Sequence, residues 1–337
     1  MDPTRHEYRI QTICLLIVST VAVAAALYWL RPVLVPFVLA VFIAYGLLPL
    51  VEFQVHRLRL PYLVAVASTL VIGVLILGSL GLLISTSVSQ LQANAAAYQQ
   101  QIELLGAKVS ALLPAGTFRA EGNPFAQLPL GNISGVLLQT TNAIVGLLSQ
   151  GLLVLIFVLY LLLGGARQKA GGVWAEIETR VEHYIVTKAL ISLATGVLVG
   201  LTLAVLGVDL ALVFGLLAFL LNFIPSVGSI IATLLPLPVV VVSPDISATT
   251  AILAILLPSL IQIIIGNIIE PKVMGEALDL HPIVILMALI VWGMLWGVVG
   301  MLLATPMTAI LKILFERLEP MAPVAQVLAG RLDAFRS

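Results

Sequence analysis

Glu270 has the clearest potential for chemistry in an apolar setting. It follows 24 uncharged residues and lies within the cluster Asn267-Ile268-Ile269-Glu270-Pro271-Lys272. A carboxylate at the centre of a bilayer costs roughly 2.5–3.5 kcal/mol on insertion scales, so such groups usually face a cavity or a partner. The cluster therefore predicts coupling to a proton or a cation through Glu270, with Asn267 beside it. The alternative is that Glu270 only marks the membrane surface, paired with Lys272.

A second candidate site interrupts the uncharged stretch Leu210–Pro244. As one helix these residues would run about 53 Å, whereas a bilayer core is only about 30 Å thick. The interruption is the sequence N-F-I-P-S-V-G-S, whose polar and helix-breaking residues are Asn222, Pro225, Ser226, Gly228 and Ser229. Broken backbone at membrane depth lines protein or a water-filled cavity, and transporters bind substrates there. The alternative is a proline kink buffered by small polar side chains.

His281 is a further candidate for the substrate or ion pathway, in Asp279-Leu280-His281-Pro282. An imidazole titrates near neutral pH. The alternative for His281 is a capping or interfacial role.

The composition places these residues in a membrane. Hydrophobic residues make up 61% of the 337-residue chain, charged residues 9%, and the mean hydropathy is +1.16, whereas soluble domains carry about 25% charged residues. The net charge of zero gives no indication of a nucleic-acid partner. The sequence lacks a Walker A loop, H-E-x-x-H, G-x-S-x-G and any Cys/His cluster. We therefore predict a polytopic membrane protein that is not an enzyme and uses no cofactor or metal.

The predicted fold is all-α, with about eight transmembrane helices and both termini in the cytoplasm. Spans 1–3 lie in residues 10–84, an extramembrane helical segment in 85–144, spans 4–8 in 145–318 and a cytoplasmic tail in 319–337. A segment near residues 225–242 is predicted to be re-entrant. The mixed charged and apolar residues Val173–Lys188 predict an amphipathic interfacial helix before the fifth span. Twelve Lys and Arg residues then lie inside, Lys188 among them, and four outside, Lys272 among the latter, in agreement with the positive-inside rule.

The extramembrane segment carries an a/d pattern from Ile84 to Leu112. It is open to two interpretations: packing on the chain's own residues 132–148, or contact between protomers.

The sequence also contains an internal echo. V-G-S-I-I-A-T at residues 227–233 is similar to V-G-M-L-L-A-T at residues 299–305. A repeat of helix breaks would suit a transporter. The residues predicted to break or hinge helices are Pro225, Gly228, Pro271, Gly275, Pro282, Gly293, Gly297, Gly300 and Pro306.

These motifs together resemble the autoinducer-2 exporter family, formerly the PerM-type permeases. The resemblance is carried by N-F-I-P-S-V-G-S-I-I-A, N-I-I-E-P-K-V-M-G, L-D-L-H-P-I-V-I-L and W-G-M-L-W-G-V-V-G-M-L-L-A-T-P, within residues 200–310. It implies about eight spans, a homo-oligomer and export of small solutes. Members are described as exporters of autoinducer-2, and some resemble sodium(lithium)/proton antiporters.

Three functional hypotheses follow. The leading one is a secondary transporter of the inner membrane that exports a small polar organic solute, such as an autoinducer-2-like signal, driven by protons. The second is a sodium(lithium)/proton antiporter that uses Glu270 and Asn267. The third is a membrane scaffold whose outer segment recruits partners.

Overall fold

The computed structural model describes residues 3–93, 100, 151–164, 173–243, 246–274, 280–318 and 321–331, which form helices and the turns between them. The helices are α1 (Pro3–Trp29), α2 (Arg31–Arg57), α3 (Tyr62–Ala93), α4 (Gly151–Gly164), α5 (Val173–Val205), α6 (Ala211–Leu221), α7 (Val227–Leu234), α8 (Leu237–Val242), α9 (Ala248–Ile264), α10 (Glu270–Met274), α11 (Pro282–Arg317) and α12 (Ala322–Leu328). A π-helical turn, Ile265–Ile269, joins α9 to α10.

Five helical stretches in this part of the chain are long and apolar enough to cross a membrane. They are Arg31–Arg57, Tyr62–Leu83, Glu178–Val205, Ala248–Met274 and Pro282–Arg317. Many large apolar side chains on them, such as Leu75 and Ile252, remain exposed, as expected where lipid replaces water around the protein. The prediction of an all-α polytopic membrane protein is confirmed. The predicted a/d pattern runs from Ile84 to Leu112. Its part beyond Ala93 lies outside the described residues, except for residue 100.

The chain forms two compact units. The first comprises Met1–Leu48, Leu153–Glu182 and Leu278–Ser337, and the second comprises Pro49–Leu152 and His183–Ala277. The division into segments 10–84, 85–144, 145–318 and 319–337 stays a prediction.

Within the second unit, α5 and α6 pack with their backbones in contact. Gly196 and Gly200 form a G-x-x-x-G pair on α5, facing Gly215 on α6. A Cβ atom built on Gly215 would lie 2.7 Å from the Gly196 carbonyl oxygen and 2.8 Å from the Gly200 Cα. Small residues of this kind let membrane helices approach closely and gain van der Waals contact. The close approach positions α6 so that its far end reaches Ser192 on α5.

This contact gives a prediction. We expect Gly215→Val to separate α5 from α6, because the added atoms meet backbone that cannot rotate away, and overpacking costs about 1–3 kcal/mol. The thermal midpoint of the purified protein in detergent, read by size-exclusion chromatography after heating, should fall. The matched control is Gly73→Val in α3, where no described atom outside the local helix backbone lies within 4 Å of the new Cβ position. Equal midpoints for the two variants would contradict the assigned contact.

The uncharged stretch folds as a helical hairpin in which α7 turns back on α6. A Cβ atom on Gly228 would overlap the Leu221 carbonyl oxygen, although residues seven apart in a straight helix lie about 10 Å apart along its axis. A broken helix near residues 225–242 was predicted, and the structure shows the break; that the segment is re-entrant stays a prediction. The prediction placed only Val227–Val242 in the re-entrant segment, whereas α6 is part of the same hairpin.

The reversal is concentrated at Ser226. Its φ is 59° and its ψ is −51°. Residues other than glycine rarely adopt a positive φ. The Val227 amide donates to the Pro225 carbonyl at 2.6 Å, which closes a γ-turn. Such turns are rare and strained for L residues, and strain of this kind clusters at functional sites.

The first unit contains a second hairpin, inside α11. Trp292 Nε1 donates to Thr308 Oγ1 at 3.2 Å, although residues sixteen apart in a straight helix would be about 24 Å apart. The chain bends at Gly297, whose φ is 64° and ψ −144°. A Cβ atom on Gly300 would overlap the Trp292 carbonyl oxygen. The two copies of the sequence echo thus occupy matching places, just after the reversal in each hairpin.

An ion pair corrects one part of the predicted topology. Lys188 lies early in the apolar span of α5, Glu270 lies near the end of the span formed by α9 and α10, and the two side chains are bonded. The eight-span prediction placed Lys188 inside and Lys272 outside. That assignment is wrong, because α9 returns to the level at which α5 began.

Candidate functional site

A cavity of about 490 Å³ with a mixed polar and apolar lining lies in the second unit, between the α6–α7 hairpin and α9. Polar or charged side chains on three segments of the chain line it. They are Lys188, Asn222, Ser226, Ser229, Thr233, Ser259, Gln262, Asn267 and Glu270. Its size falls within the range of about 300–1,000 Å³ that is usual for small-molecule sites.

Asn222 anchors the tip of the hairpin to α5. It follows the last residue of α6 and is 3% exposed. Its Nδ2 donates to Ser192 Oγ at 3.0 Å, and Ser192 is fully buried. A buried hydrogen bond of this kind satisfies both groups where no water can do so. Asn222 therefore holds the broken backbone at the cavity wall.

Gln262 carries unsatisfied polar atoms. It is 6% exposed and lines the cavity from α9, and among the described residues neither its Oε1 nor its Nε2 has a hydrogen-bond partner. Leaving a buried amide group unpaired costs about 1–3 kcal/mol. Both amide atoms are covered by neighbouring atoms, so Gln262 would offer its carbonyl acceptor and its NH2 donor group to a solute once the side chain turned toward the cavity.

The ion pair of Lys188 and Glu270 forms one end of the cavity. The Lys188 side chain is 2% exposed and the Glu270 side chain 22%. The sequence predicted an interfacial helix from Val173 to Lys188, followed by a separate span. The structure instead has one continuous helix, Val173–Val205, which carries Lys188 into the apolar layer. Glu270 pairs with this buried ammonium group, and the alternative pairing with Lys272 is wrong.

The π-helical turn places Asn267 and Glu270 at the cavity. The Glu270 amide donates to the Ile265 carbonyl, five residues back. π-Turns inside α-helices are rare and occur often at functional sites. One face of α9 and the π-helical turn lines the cavity. At helical spacing it carries Ser259, Gln262, Gly266 and Glu270.

The second unit brings together most of the predicted pathway residues. Asn222, Pro225, Ser226, Ser229, Asn267 and Glu270 line the same cavity, and Gly228 is buried at the turn beside it. His281 belongs to the first unit. There its Nδ1 accepts from the Ile283 amide at 3.3 Å and caps α11, which is the alternative that the sequence had left open.

The predicted hinge residues occupy different settings. Pro271 is the second residue of α10 and Pro282 the first of α11. Pro306 is buried within the second arm of the α11 hairpin. A Cβ atom on Gly293 would lie 2.8 Å from the terminal methyl of Met301. Gly275 lies outside the described residues.

Sequence reasoning missed Lys188 and Gln262 as site residues. Lys188 was counted as an interfacial charge, and its distance of 82 residues from Glu270 concealed the pairing. A signal for Gln262 was present, because it lies eight residues before Glu270 with Gly266 midway. On a helix this spacing places all three on one face.

Comparison with known proteins decides the family. The model of the family described as AI-2E family transporter matches residues 17–319. The chain belongs to this family. It is 35% identical over 306 residues to "AI-2 transport protein TqsA" of Escherichia coli K12, covering 85% of this chain and 86% of that protein. It is 29% identical over 321 residues to "Putative transport protein YhhT" of the same strain, covering 90% of each chain.

Membership in the AI-2E family makes the chain a multi-pass membrane transporter. A relative in Bacillus subtilis, "Putative transport protein YrrI", is 28% identical over 336 residues, covering 90% of this chain and 93% of that protein. The family is one of transport proteins rather than enzymes.

Proposed function

We propose that this AI-2E transporter exports a small polar organic solute across the inner membrane through the cavity of the second unit, with proton coupling at Glu270. The observation that carries the proposal is Gln262, which lines the cavity and whose buried amide has no hydrogen-bond partner among the described residues. A solute that leaves water must recover its hydrogen bonds inside the protein. Gln262 and the surrounding hydroxyl groups offer that exchange, next to broken backbone of the kind that binds substrates in transporters.

The ion pair supports proton coupling. Protonation of Glu270 would remove its charge and release the ammonium group of Lys188 toward the cavity. The pair would then have two arrangements, closed with Glu270 ionised and open with Glu270 protonated. Coupling requires that one arrangement favours the empty cavity and the other the cavity with bound solute.

We propose six full crossings and two re-entrant hairpins in the bilayer, with both termini in the cytoplasm. α1 to α5 cross in turn, the α6–α8 hairpin enters from the outside, α9 returns to the inside and the α11 hairpin enters from there. Thirteen of the 16 Lys and Arg residues then lie inside, in better agreement with the positive-inside rule than the eight-span prediction. A homo-oligomer is part of the same proposal.

Labelling of single cysteines tests this topology. In a Cys14→Ser background, which removes the chain's one cysteine, we expect Lys272→Cys to react only from the cytoplasm, as Arg59→Cys does. Ala93→Cys should react only from outside. Reaction of Lys272→Cys from outside would restore the eight-span arrangement.

The transport proposal is tested with purified protein in sealed liposomes that contain a pH-sensitive dye. A diol-type furanone is the first organic probe, because one relative carries the name AI-2 transport protein. We expect furanone-dependent proton movement in the wild type. Gln262→Leu should reduce the flux about tenfold, since it removes both hydrogen-bonding atoms at similar volume, and Glu270→Gln should uncouple flux from the pH gradient. An unchanged furanone flux in Gln262→Leu would reject the cavity as the pathway.

One arrangement favours a second candidate, a sodium(lithium)/proton antiporter. Asn267 and Glu270 direct oxygen-bearing side chains to the same cavity as Ser229, and hard cations prefer oxygen ligands. In the same liposomes, proton movement evoked by sodium or lithium without any organic solute would favour it. The scaffold hypothesis rests on a segment that lies mostly outside the described residues and stays a prediction.

A further inference from the structure

We infer that the cavity of the second unit selects small hydroxylated organic anions, and that the Glu270 carboxylate occupies the place of the ligand's anionic group. This inference rests on the proposed function, since it concerns the same cavity. It adds a chemical class, a carboxylate that carries hydroxyl groups, and a role for Lys188 as the residue that recognises it.

The first argument is the unequal burial of the ion pair. Lys188 is 2% exposed, whereas Glu270 is 22% exposed and stands where the π-turn meets α10. When the pair opens, the carboxylate can reach water, but the ammonium group stays in the protein. A buried charge without a counter-charge is strongly unfavourable. The group that replaces Glu270 at Lys188 should therefore be an anion.

The second argument is the helix end that faces the cavity. α7 begins at Val227, and Ser226 and Ser229, on either side of this start, both line the cavity. The Val227 and Gly228 amides already donate to the Pro225 and Ile224 carbonyls, so this helix end contributes through the partial positive charge of its dipole. Half-helix N-termini of this kind point at anionic groups of substrates in other transporters. The start of α7 and Lys188 belong to different parts of the chain, and both favour a negatively charged ligand.

The third argument concerns the rest of the ligand. Gln262 offers one donor and one acceptor without a partner among the described residues, and Ser259, Thr233 and Ser229 add hydroxyl groups to the same wall. Groups that can both donate and accept match the hydroxyl groups of a ligand. A hydroxylated monocarboxylate uses Lys188 at one end and this wall at the other.

A cationic ligand fits the cavity less well. The charged residues of its described lining are Lys188 and Glu270 alone. A cation would have to displace the ammonium group of Lys188 from Glu270 and leave it unpaired in its buried place. Like charges in one small cavity also repel each other.

Binding to the full chain in nanodiscs of phosphatidylcholine, followed by calorimetry, tests the inference. Phosphatidylcholine carries no net charge, so the lipid headgroups should not compete with glycerate for Lys188. The probes are glycerate and glycerol, which differ at the carboxylate. We expect glycerate to bind the wild type at least about tenfold more tightly than glycerol. Glu270→Gln should tighten glycerate binding about tenfold, or ~1.4 kcal/mol, because the internal competitor is gone. Lys188→Met should weaken glycerate binding by a similar factor and leave glycerol within about twofold.

The opposite results would overturn the inference. They are equal affinity for glycerate and glycerol, or weaker glycerate binding in Glu270→Gln. If Glu270→Gln fails to fold, Glu270→Asp, whose shorter carboxylate reaches Lys188 less well, should show a smaller tightening. The wild-type comparison decides the question independently of either variant. Furanone flux that depends on Gln262, together with no preference for glycerate, would reject this inference and leave the proposed function standing.

Discussion

Gly228→Ala is expected to prevent the α6–α7 hairpin from closing. The added methyl group would occupy the space of the Leu221 carbonyl oxygen, and a main-chain atom cannot rotate away as a side chain can. The cost should exceed the ~1–3 kcal/mol that is typical of an overpacked core, because relief requires the two helices to separate. We expect a large fall in the yield of monodisperse protein and in its thermal midpoint, measured by size-exclusion chromatography in detergent.

Two other changes serve as controls for Gly228→Ala. Gly73→Ala adds the same methyl group in α3, where no described atom outside the local helix backbone lies within 4 Å. Ser229→Ala changes the next residue by removing a hydroxyl group and adds no atom to the turn. Both should keep a thermal midpoint near that of the wild type. A Gly228→Ala protein as stable as these controls would show that the hairpin is not packed as described.

The ion pair gives the second large effect, and the two single variants should differ. Glu270→Gln leaves the ammonium group of Lys188 charged, 2% exposed and without its carboxylate, and breaking a buried pair in this way costs about 3–5 kcal/mol. Lys188→Met leaves a carboxylate that is 22% exposed and can reach water, so it should cost less. The double variant Lys188→Met/Glu270→Gln removes both charges and should recover most of the loss.

Thermal midpoints of the four proteins complete a double-mutant cycle for this pair. A coupling in which the double variant is more stable than Glu270→Gln confirms the expectation. A double variant that loses the sum of the two single losses would show that the residues act independently. If Lys272 rather than Lys188 paired with Glu270, the thermal midpoint would fall further in Lys272→Met than in Lys188→Met.

Local pattern was sufficient for the class of protein and for the position of the broken helix. Long uncharged runs require a membrane, because an exposed backbone in lipid must form helices. A proline and a glycine close together among small polar residues, as at Pro225 and Gly228, indicate a break in a helix. The cause is the local steric behaviour of these two residue types. The same holds for Asn267 and Glu270, whose polarity within an apolar run predicts a cavity or partner.

Local pattern could not identify which residues meet across the cavity. Lys188 was interpreted as interfacial because a mixed charged sequence precedes it, and a helix that continues into the membrane has the same local sequence. The pairing of Lys188 with Glu270 depends on how α5 and α9 are brought together by the hairpin between them. The number of crossings stays a prediction, because an uncharged run of 35 residues is compatible with a crossing and a re-entry alike.

The sequence by itself determined that this is a helical membrane transporter of the AI-2E type, broken at Pro225–Gly228, with a carboxylate at Glu270. These properties follow from hydrophobic length, steric limits on the backbone and a recognisable set of motifs. Only the tertiary structure decided that Glu270 pairs with Lys188, that α7 folds back on α6, and that Gln262 lines the same cavity with its amide unpaired among the described residues. The physical reason is that burial and pairing depend on contacts between segments distant in the chain, which composition and spacing do not encode.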